Sequence, residues 1–354
     1  RSALEQDKGD FLMVGRVLLA DPEMPNKLAD GRPDELRPCI GCDECIHAVT
    51  HGLSSICCAV NADAGFETTR KLPKVDKAKK ILIIGGGPAG LAAAIDAKKA
   101  GHDVEIWEKT TRLGGLLIPA GRPSFKKEMG DLVHYYRMEV KKLGIKVKYG
   151  KDARAEDIIA AGVDEVILAT GSNSLVPSSM AGIENLNVVT AVDALNDVAS
   201  LGERLVVVGS GLVGCETALH LTHFGKKIDL IEMQSDILPE DMVYHVRQML
   251  YKIVESNDDI KIHTNTKLLA IDKDAAIVEK DGKESSLPCD TIVLAMGLTS
   301  NKDLQEQLKG KVSVTSIGDI NEPRDVINAT AEARKAVLSL SGVSAEDGER
   351  GTFW

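Results

Sequence analysis

The chain has 354 residues, too many for one typical domain, with 44% hydrophobic and 27% charged residues, the mix of ordinary globular material. Its formal net charge of −10 argues against a phosphate-backbone partner, which calls for a basic face, so no nucleic acid is expected. No apolar run approaches the roughly 18 residues of a membrane helix, and the polar start "RSALEQDKGD" lacks a signal-peptide core. A cytoplasmic protein with no membrane role is the expectation.

Residues 10–31, "DFLMVGRVLLADPEMPNKLADG", read as a buried strand, a Gly-Arg turn and a helical stretch. One strand without a sheet cannot bury its faces. Residues 1–30 are therefore expected to be the remnant of a larger domain.

Residues 31–72 hold five of the seven cysteines in "CIGCDECIHAVTHGLSSICC" (39–58) and end in a charged linker. In a reducing compartment such clustering points to metal or catalysis rather than disulfides. Cys39, Cys42 and Cys45, at successive x2 spacing, wrap one loop round a cluster corner, and Cys57 or Cys58 supplies a fourth thiolate, as in ferredoxin-type ligation. Zinc, which takes separated cysteine pairs or pairs with histidine such as His47 and His51, is the weaker alternative. Five unligated thiols on a loop would be an oxidation liability.

From Ile81 onward strands alternate with helices, and the pattern starts again at Leu205. The fold class is α/β with two Rossmann-like dinucleotide-binding domains. In "ILIIGGGPAGLAAAIDAKKAGHDVEIWEK" a strand meets Gly85, Gly87 and Gly90, then a helix, a second strand and Glu108. The glycines serve a tight turn, close approach to pyrophosphate and close helix packing, and the acid accepts from ribose hydroxyls. "RLVVVGSGLVGCETALHLTHFGKKIDLIEM" repeats the plan with Gly209, Gly211, Gly214 and Glu232. An acid at Glu232 favours NADH by repelling a 2′-phosphate.

Two loops suggest two nucleotides, one held and one exchanged. After Glu108, Gly114 and Gly115 allow backbone to approach a cofactor, and Arg112 is placed to meet a phosphate. "DEVILATGS", with Gly171, and "DTIVLAMG" are strands ending in small residues. In "VTSIGDI", Gly318 and Asp319 place a carboxylate where it can bind a ribityl hydroxyl or simply close a turn.

Over residues 76–340 the composite resembles the flavoproteins with two dinucleotide-binding domains. That resemblance implies FAD at the first loop and the Gly318-Asp319 pair, NAD(P)H at the second loop, and hydride transfer between them. Many such proteins pass electrons to a dithiol, but this chain has neither of their cysteine pairs; Cys215 and Cys289 read as small core residues.

The order "DFLMVGRVLLADP", "RPCIGCDEC", "ICCAVNADAGFE" and the two loops resembles a narrower family. It is similar to the C-terminal part of the iron–sulfur flavoenzymes that include 2,4-dienoyl-CoA reductase, 2-enoate reductase and trimethylamine dehydrogenase. There an FMN-bearing TIM barrel comes first and its last strand ends in Gly-Arg at the FMN phosphate, which makes Gly15 and Arg16 a remnant of that site. The resemblance implies a [4Fe-4S] cluster on Cys39, Cys42, Cys45 and Cys58, with Cys57 a bystander.

It also divides the chain into a barrel remnant (1–30), a cluster segment (31–72), a discontinuous FAD-binding domain (73–196 and 288–342), an NAD(H)-binding domain (197–287) and a tail (343–354). The implied function is the NADH-oxidising part of an enzyme passing electrons from FAD through the cluster to FMN, and on to an activated C=C bond. FMN and the small-molecule substrate belong to the missing barrel, and a homo-oligomer is compatible. The cysteine spacing sits closer to the amine dehydrogenase, so the alternative is an electron-transfer module with a structural ADP or FAD and no NAD turnover. No catalytic residue is assigned.

Overall fold

The computed structural model describes residues 5–50, 56–185, 187–240 and 242–343. His51 and the tail from residue 344 lie outside the described residues. Among the described residues no helix is long and apolar enough to cross a membrane.

Residues 10–14 form no strand. Phe11 and Met13 stand almost fully exposed. The buried strand expected there is corrected to an extended, solvent-facing segment, because among the described residues no sheet lies beside it to receive its hydrogen bonds or cover its faces. Gly15 then opens helix α1 (Arg16–Ala20), followed by α2 (Met24–Ala29). The cysteine segment adds α3 (Glu44–Thr50).

The first nucleotide unit opens with β1 (Lys80–Ile84), α4 (Pro88–Ala100) and β2 (Asp103–Glu108). It continues through α5 (Leu117–Ala120), α6 (Lys127–Lys142), β3 (Lys146–Tyr149), α7 (Ala155–Ala160) and β4 (Glu165–Leu168). A short β5 (Ser172–Ser174) leads across to β6 (Val188–Thr190) and α8 (Ala191–Asn196). The second unit runs β7 (Arg204–Val208), α9 (Leu212–Thr222), β8 (Lys227–Ile231), α10 (Tyr244–Glu255) and β9 (Ile260–His263). A meander of β10 (Thr266–Ile271), β11 (Ala275–Lys280) and β12 (Lys283–Pro288) precedes β13 (Thr291–Leu294). The chain returns by β14 (Leu298–Ser300), α11 (Asp303–Leu308) and β15 (Val314–Ser316), and ends in α12 (Val326–Leu340).

Two five-stranded parallel sheets result, ordered β15-β4-β1-β2-β3 and β6-β13-β7-β8-β9. In each, the strand feeding a glycine loop is central, and strand order reverses beside it. A crevice therefore opens at the carboxyl ends of β1 and β4, and again at those of β7 and β13. β5 and β14 pair antiparallel where the chain crosses between units.

The sequence reading places residues 188–196 and 288–294 with the first unit; the sheet pairing moves them. β13 pairs with both β7 and β6, so these strands complete the second sheet. The reason is burial: β7 is covered from Leu205 onward and needs a partner on the side away from β8.

The strands themselves, KILII and RLVVV, are apolar, largely β-branched runs, as sheets covered on both faces require. α4 is rich in alanine, so it lies close to β1 and to α12, and it stops at Gly101 in the left-handed conformation (φ 109).

α12 also anchors the cysteine segment. Buried Arg334 pairs with Asp96 of α4 at 2.7 Å and with Asp63, and donates to the Arg70 carbonyl at 3.0 Å. Thr330 Oγ1 donates to the Ala59 carbonyl at 2.8 Å. Arg334→Met leaves two carboxylates without their shared cation, and urea unfolding should show a loss of about 3–5 kcal/mol.

A second tie is pH-sensitive. Nδ1 of buried His102 accepts from the Lys79 N–H at 3.1 Å, and Nε2 faces Ser341 Oγ at 3.1 Å. Burial, and then nearby Lys79, lower its pKa. The unfolded chain thus takes up a proton near pH 6.5 that the folded chain refuses. Stability from this site is complete above that pH and falls below it, by at most about 1.4 kcal/mol per pH unit. His102→Gln should flatten the change in urea midpoint between about pH 7 and 5.5, the window set by that unfolded pKa.

Candidate functional site

In both glycine loops the first and third glycines are pressed against protein. A Cβ on Gly90 would collide with the Gly85 carbonyl oxygen, and one on Gly214 with that of Gly209. The second glycines differ. No atom lies within 4 Å of a Cβ position on Gly211, and at Gly87 there is just the Gly115 Cα at 4.0 Å. Packing does not require glycine at either place; the missing side chain keeps space clear in front of a helix. α4 and α9 begin there without a side-chain cap, so their first-turn N–H groups face that space with no side-chain acceptor. A pyrophosphate fits both cradles.

Glu108 and Glu232 already have work in the protein. Buried Glu108 accepts from the Gly86 and Thr110 N–H groups, each at 2.7 Å, which pins the loop to the end of β2. Glu232 accepts from Ser210 N–H and Oγ at 2.9 Å and from the Gln234 N–H at 3.0 Å. Both carboxylates keep lone-pair capacity for a ribose hydroxyl, Glu108 on either oxygen and Glu232 on Oε1, since its Oε2 already accepts twice.

The other residues read for the first nucleotide converge on the same sheet end. The Gly114 N–H donates to the Gly86 carbonyl at 2.8 Å, and a Cβ on Gly115 would stand 2.8 Å from the Gly87 Cα. Arg112 is exposed on that loop. Gly171 (φ 71) follows β4 with open space beside it. Gly318 and Asp319 form a short turn after β15, and Gly318 abuts Ala89 at the start of α4. Asp319 accepts from Ser172 Oγ at 2.9 Å and from the Arg324 N–H at 3.3 Å. Its carboxylate both closes the turn and lies at the crevice.

Around the cysteines the backbone curls twice, at Gly41 (φ 65) and Asp43 (φ 61). Cys39, Cys42, Cys45 and Cys58 line one small, partly open hollow, together with Arg16, Leu19 and Val60. Cys57 does not line it; its buried thiol turns to the Glu44 carbonyl at 3.8 Å. Among the described residues no three His, Cys, Asp or Glu side chains converge on a single metal ion. The four thiols surround a space instead of a point.

Burial pushes the Cys42 thiol up to about 12 and Cys57 to about 11, and raises Cys45 and Cys58. The nearby backbone N–H groups of Glu44, Ile46, Val60 and Asn61 oppose that rise. Such donors are what an iron–sulfur cluster's ligands use, and its iron would supply the charge these buried thiolates lack. The donor set fits the cluster.

Arg16 is tied to this hollow. Its guanidinium pairs with Asp43, between Cys42 and Cys45, and the other Asp43 oxygen lies 3.3 Å from His245 Nε2 of α10. A further pair joins the two units: Lys126 Nζ meets Glu216 of α9 at 2.7 Å, where burial raises the carboxyl pKa and Lys126 opposes the rise. Beside it, Phe125 meets the edge of His223. Sequence reading missed Asp43, Lys126, Glu216 and His245. Lys126 and Glu216 stand 90 residues apart, beyond any local pattern. Cys215 and Cys289 are fully buried, as expected.

The profile of the pyridine nucleotide-disulphide oxidoreductases matches residues 79–324. The chain belongs to that family. It is therefore an oxidoreductase fold of the flavin- and pyridine-nucleotide-binding type, carried here without the family's dithiol pair. A cinnamate reductase of Clostridium sporogenes is 36% identical over 342 residues, covering 96% of this chain and 51% of the relative. An NADH oxidase of Thermoanaerobacter brockii is 36% identical, covering 93% and 51%. The solved structure of a 2-naphthoyl-CoA reductase complex superposes with a TM-score of 0.87 at 27% identity, over 95% of this chain and 51% of that one. These relatives bear out the resemblance to enoate-reductase-like flavoenzymes. The chain spans about half the length of each of them.

Proposed function

We propose that this chain is the NADH-oxidising, electron-transferring part of an iron–sulfur flavoenzyme that reduces an activated C=C bond. One observation carries the reading: four thiols, without the fifth, ring a hollow whose walls merge with the core of the first nucleotide unit. The two cradles, and relatives named for cinnamate reduction and NADH oxidation, support it.

When bound, FAD takes two electrons from NADH and a four-iron cluster hands on single electrons. The protein's part is placement. The α4 N-terminus binds the FAD pyrophosphate, Glu108 its ribose, and Asp319 a ribityl hydroxyl. The α9 N-terminus binds the NADH pyrophosphate, and Glu232 accepts from its ribose while repelling a 2′-phosphate. Lys126 and Glu216 hold the two units in register. Cys39, Cys42, Cys45 and Cys58 would hold the cluster beside the first unit, with Arg16 on the same hollow.

The test is a visible spectrum of the purified protein before and after NADH, with iron measured on the same sample. The expected result is flavin bleaching by NADH, much weaker bleaching by NADPH, and about four iron atoms per chain. Iron and flavin present, with no bleaching by either nucleotide, would favour an electron-transfer module with a structural nucleotide.

A further inference from the structure

We propose that the turn at residues 232–240, gripped by Arg247 of α10, couples occupancy of the nicotinamide pocket to the redox state of the cysteine loop. The inference rests on the functional reading above, which puts a nucleotide at one end of this segment and a cluster at the other.

A bonded series joins the two ends. Glu232 accepts from Ser210 of the glycine loop and from the Gln234 N–H. The Leu238 N–H donates back to the Ser210 carbonyl at 3.0 Å. Leu238 is buried and held at φ 63, a conformation that side-chain-bearing residues rarely adopt, so this turn is fastened to the glycine loop under strain. Arg247 of α10 then grips the turn. Its Nη2 donates to Asp236 Oδ2 at 2.8 Å and to the Ile237 carbonyl at 3.2 Å, and its Nε to the Pro239 carbonyl at 3.1 Å. Two residues earlier on α10, His245 Nε2 lies 3.3 Å from Asp43 Oδ2, while Arg16 holds Asp43 Oδ1. Asp43 stands between Cys42 and Cys45.

Both ends see a change of charge. A dinucleotide brings its pyrophosphate to the α9 N-terminus, next to Ser210. Reduction adds one negative charge to a loop that already carries Asp43, and so increases the value of the donors that face that carboxylate. Arg16 belongs to the cysteine side; His245 belongs to the nucleotide side. A reduced loop therefore favours the α10 position in which His245 reaches Asp43, the position that the Leu238 turn and Arg247 hold in this structure, and a nucleotide seated beside Ser210 strengthens the hold on that turn. Linkage makes the effect reciprocal: the nucleotide binds tighter to the reduced enzyme, and its binding makes the loop easier to reduce by the same factor.

The experiment uses the holoenzyme and 1,4,5,6-tetrahydro-NAD, a nucleotide that cannot reduce it. Its dissociation constant is measured with the enzyme oxidised and with the enzyme reduced by dithionite. Flavin reduction contributes to the ratio in every variant alike, so the comparison between variants isolates His245. The oxidised-to-reduced ratio should be about fivefold or more larger in the wild type than in His245→Ala, the low end of measured couplings. Affinity in the oxidised state, iron and FAD should be unchanged, and His245→Gln, which keeps an N–H toward Asp43, should recover part of the ratio. A cluster potential followed by EPR should rise with the analogue in the wild type and not in His245→Ala. Equal ratios in wild type and His245→Ala, in an enzyme that holds iron and binds the analogue, overturn this inference alone. A preparation with no iron or no analogue binding overturns the functional reading and the inference with it.

Discussion

Gly211→Asp should abolish NADH-dependent bleaching of the flavin while leaving FAD and iron in place. The site is suited to the test because Gly211 has ordinary backbone (φ −64) and no atom within 4 Å of its Cβ position. An aspartate there fits the folded protein without strain. What it displaces is the ligand: its carboxylate enters the space at the α9 N-terminus where a pyrophosphate would sit. Losing two charge-assisted hydrogen bonds, at about 1.5–3 kcal/mol each, lowers kcat/KM for NADH by about 10²–10⁴-fold. Gly214→Ala makes the contrast. Its Cβ would strike the Gly209 carbonyl, so that variant should lose the fold of the second unit, seen as a lower unfolding midpoint before any nucleotide is added.

The second large effect separates neighbouring thiols. Cys58→Ser should remove the cluster, with loss of iron and of the broad visible absorption of its thiolate-to-iron transitions. Cys57→Ser should keep both. Cys58 lines the hollow, with the Val60 and Asn61 N–H groups beside it, whereas Cys57 does not line it and faces the Glu44 carbonyl. Iron lost from Cys57→Ser and kept in Cys58→Ser would reverse the assignment of the fourth ligand.

The parts of this molecule legible in its sequence are those where one short stretch does a whole job. Gly85 to Glu108 and Gly209 to Glu232 each hold a strand, a turn, a helix start and a ribose acid within one stretch of chain, so local order is enough to read them. The thiol spacing of Cys39, Cys42 and Cys45 is local in the same way.

Features made by distant partners were not legible. β6 and β13 are short apolar runs whose sheet is decided by which edge of β7 lies bare. Residues 10–14 have the composition of a strand, but a strand is a relation to a neighbour, and none lies beside them among the described residues. Asp43 looks like a loop aspartate until Arg16 and His245 arrive from elements 27 residues before it and far downstream of it.

The paired crossing strands have a consequence for how this protein can be taken apart. Ser174 is registered opposite Leu298, and the Leu175 N–H donates to the Gly297 carbonyl at 3.0 Å, so the two ends of the intervening segment meet side by side. Every strand of the first sheet lies outside residues 175–297. The second unit is thus a cassette: excised, with a short turn sewn between Ser174 and Leu298, it leaves a continuous chain whose first sheet has lost no strand. The same seam would accept a foreign nucleotide-binding module whose termini lie equally close.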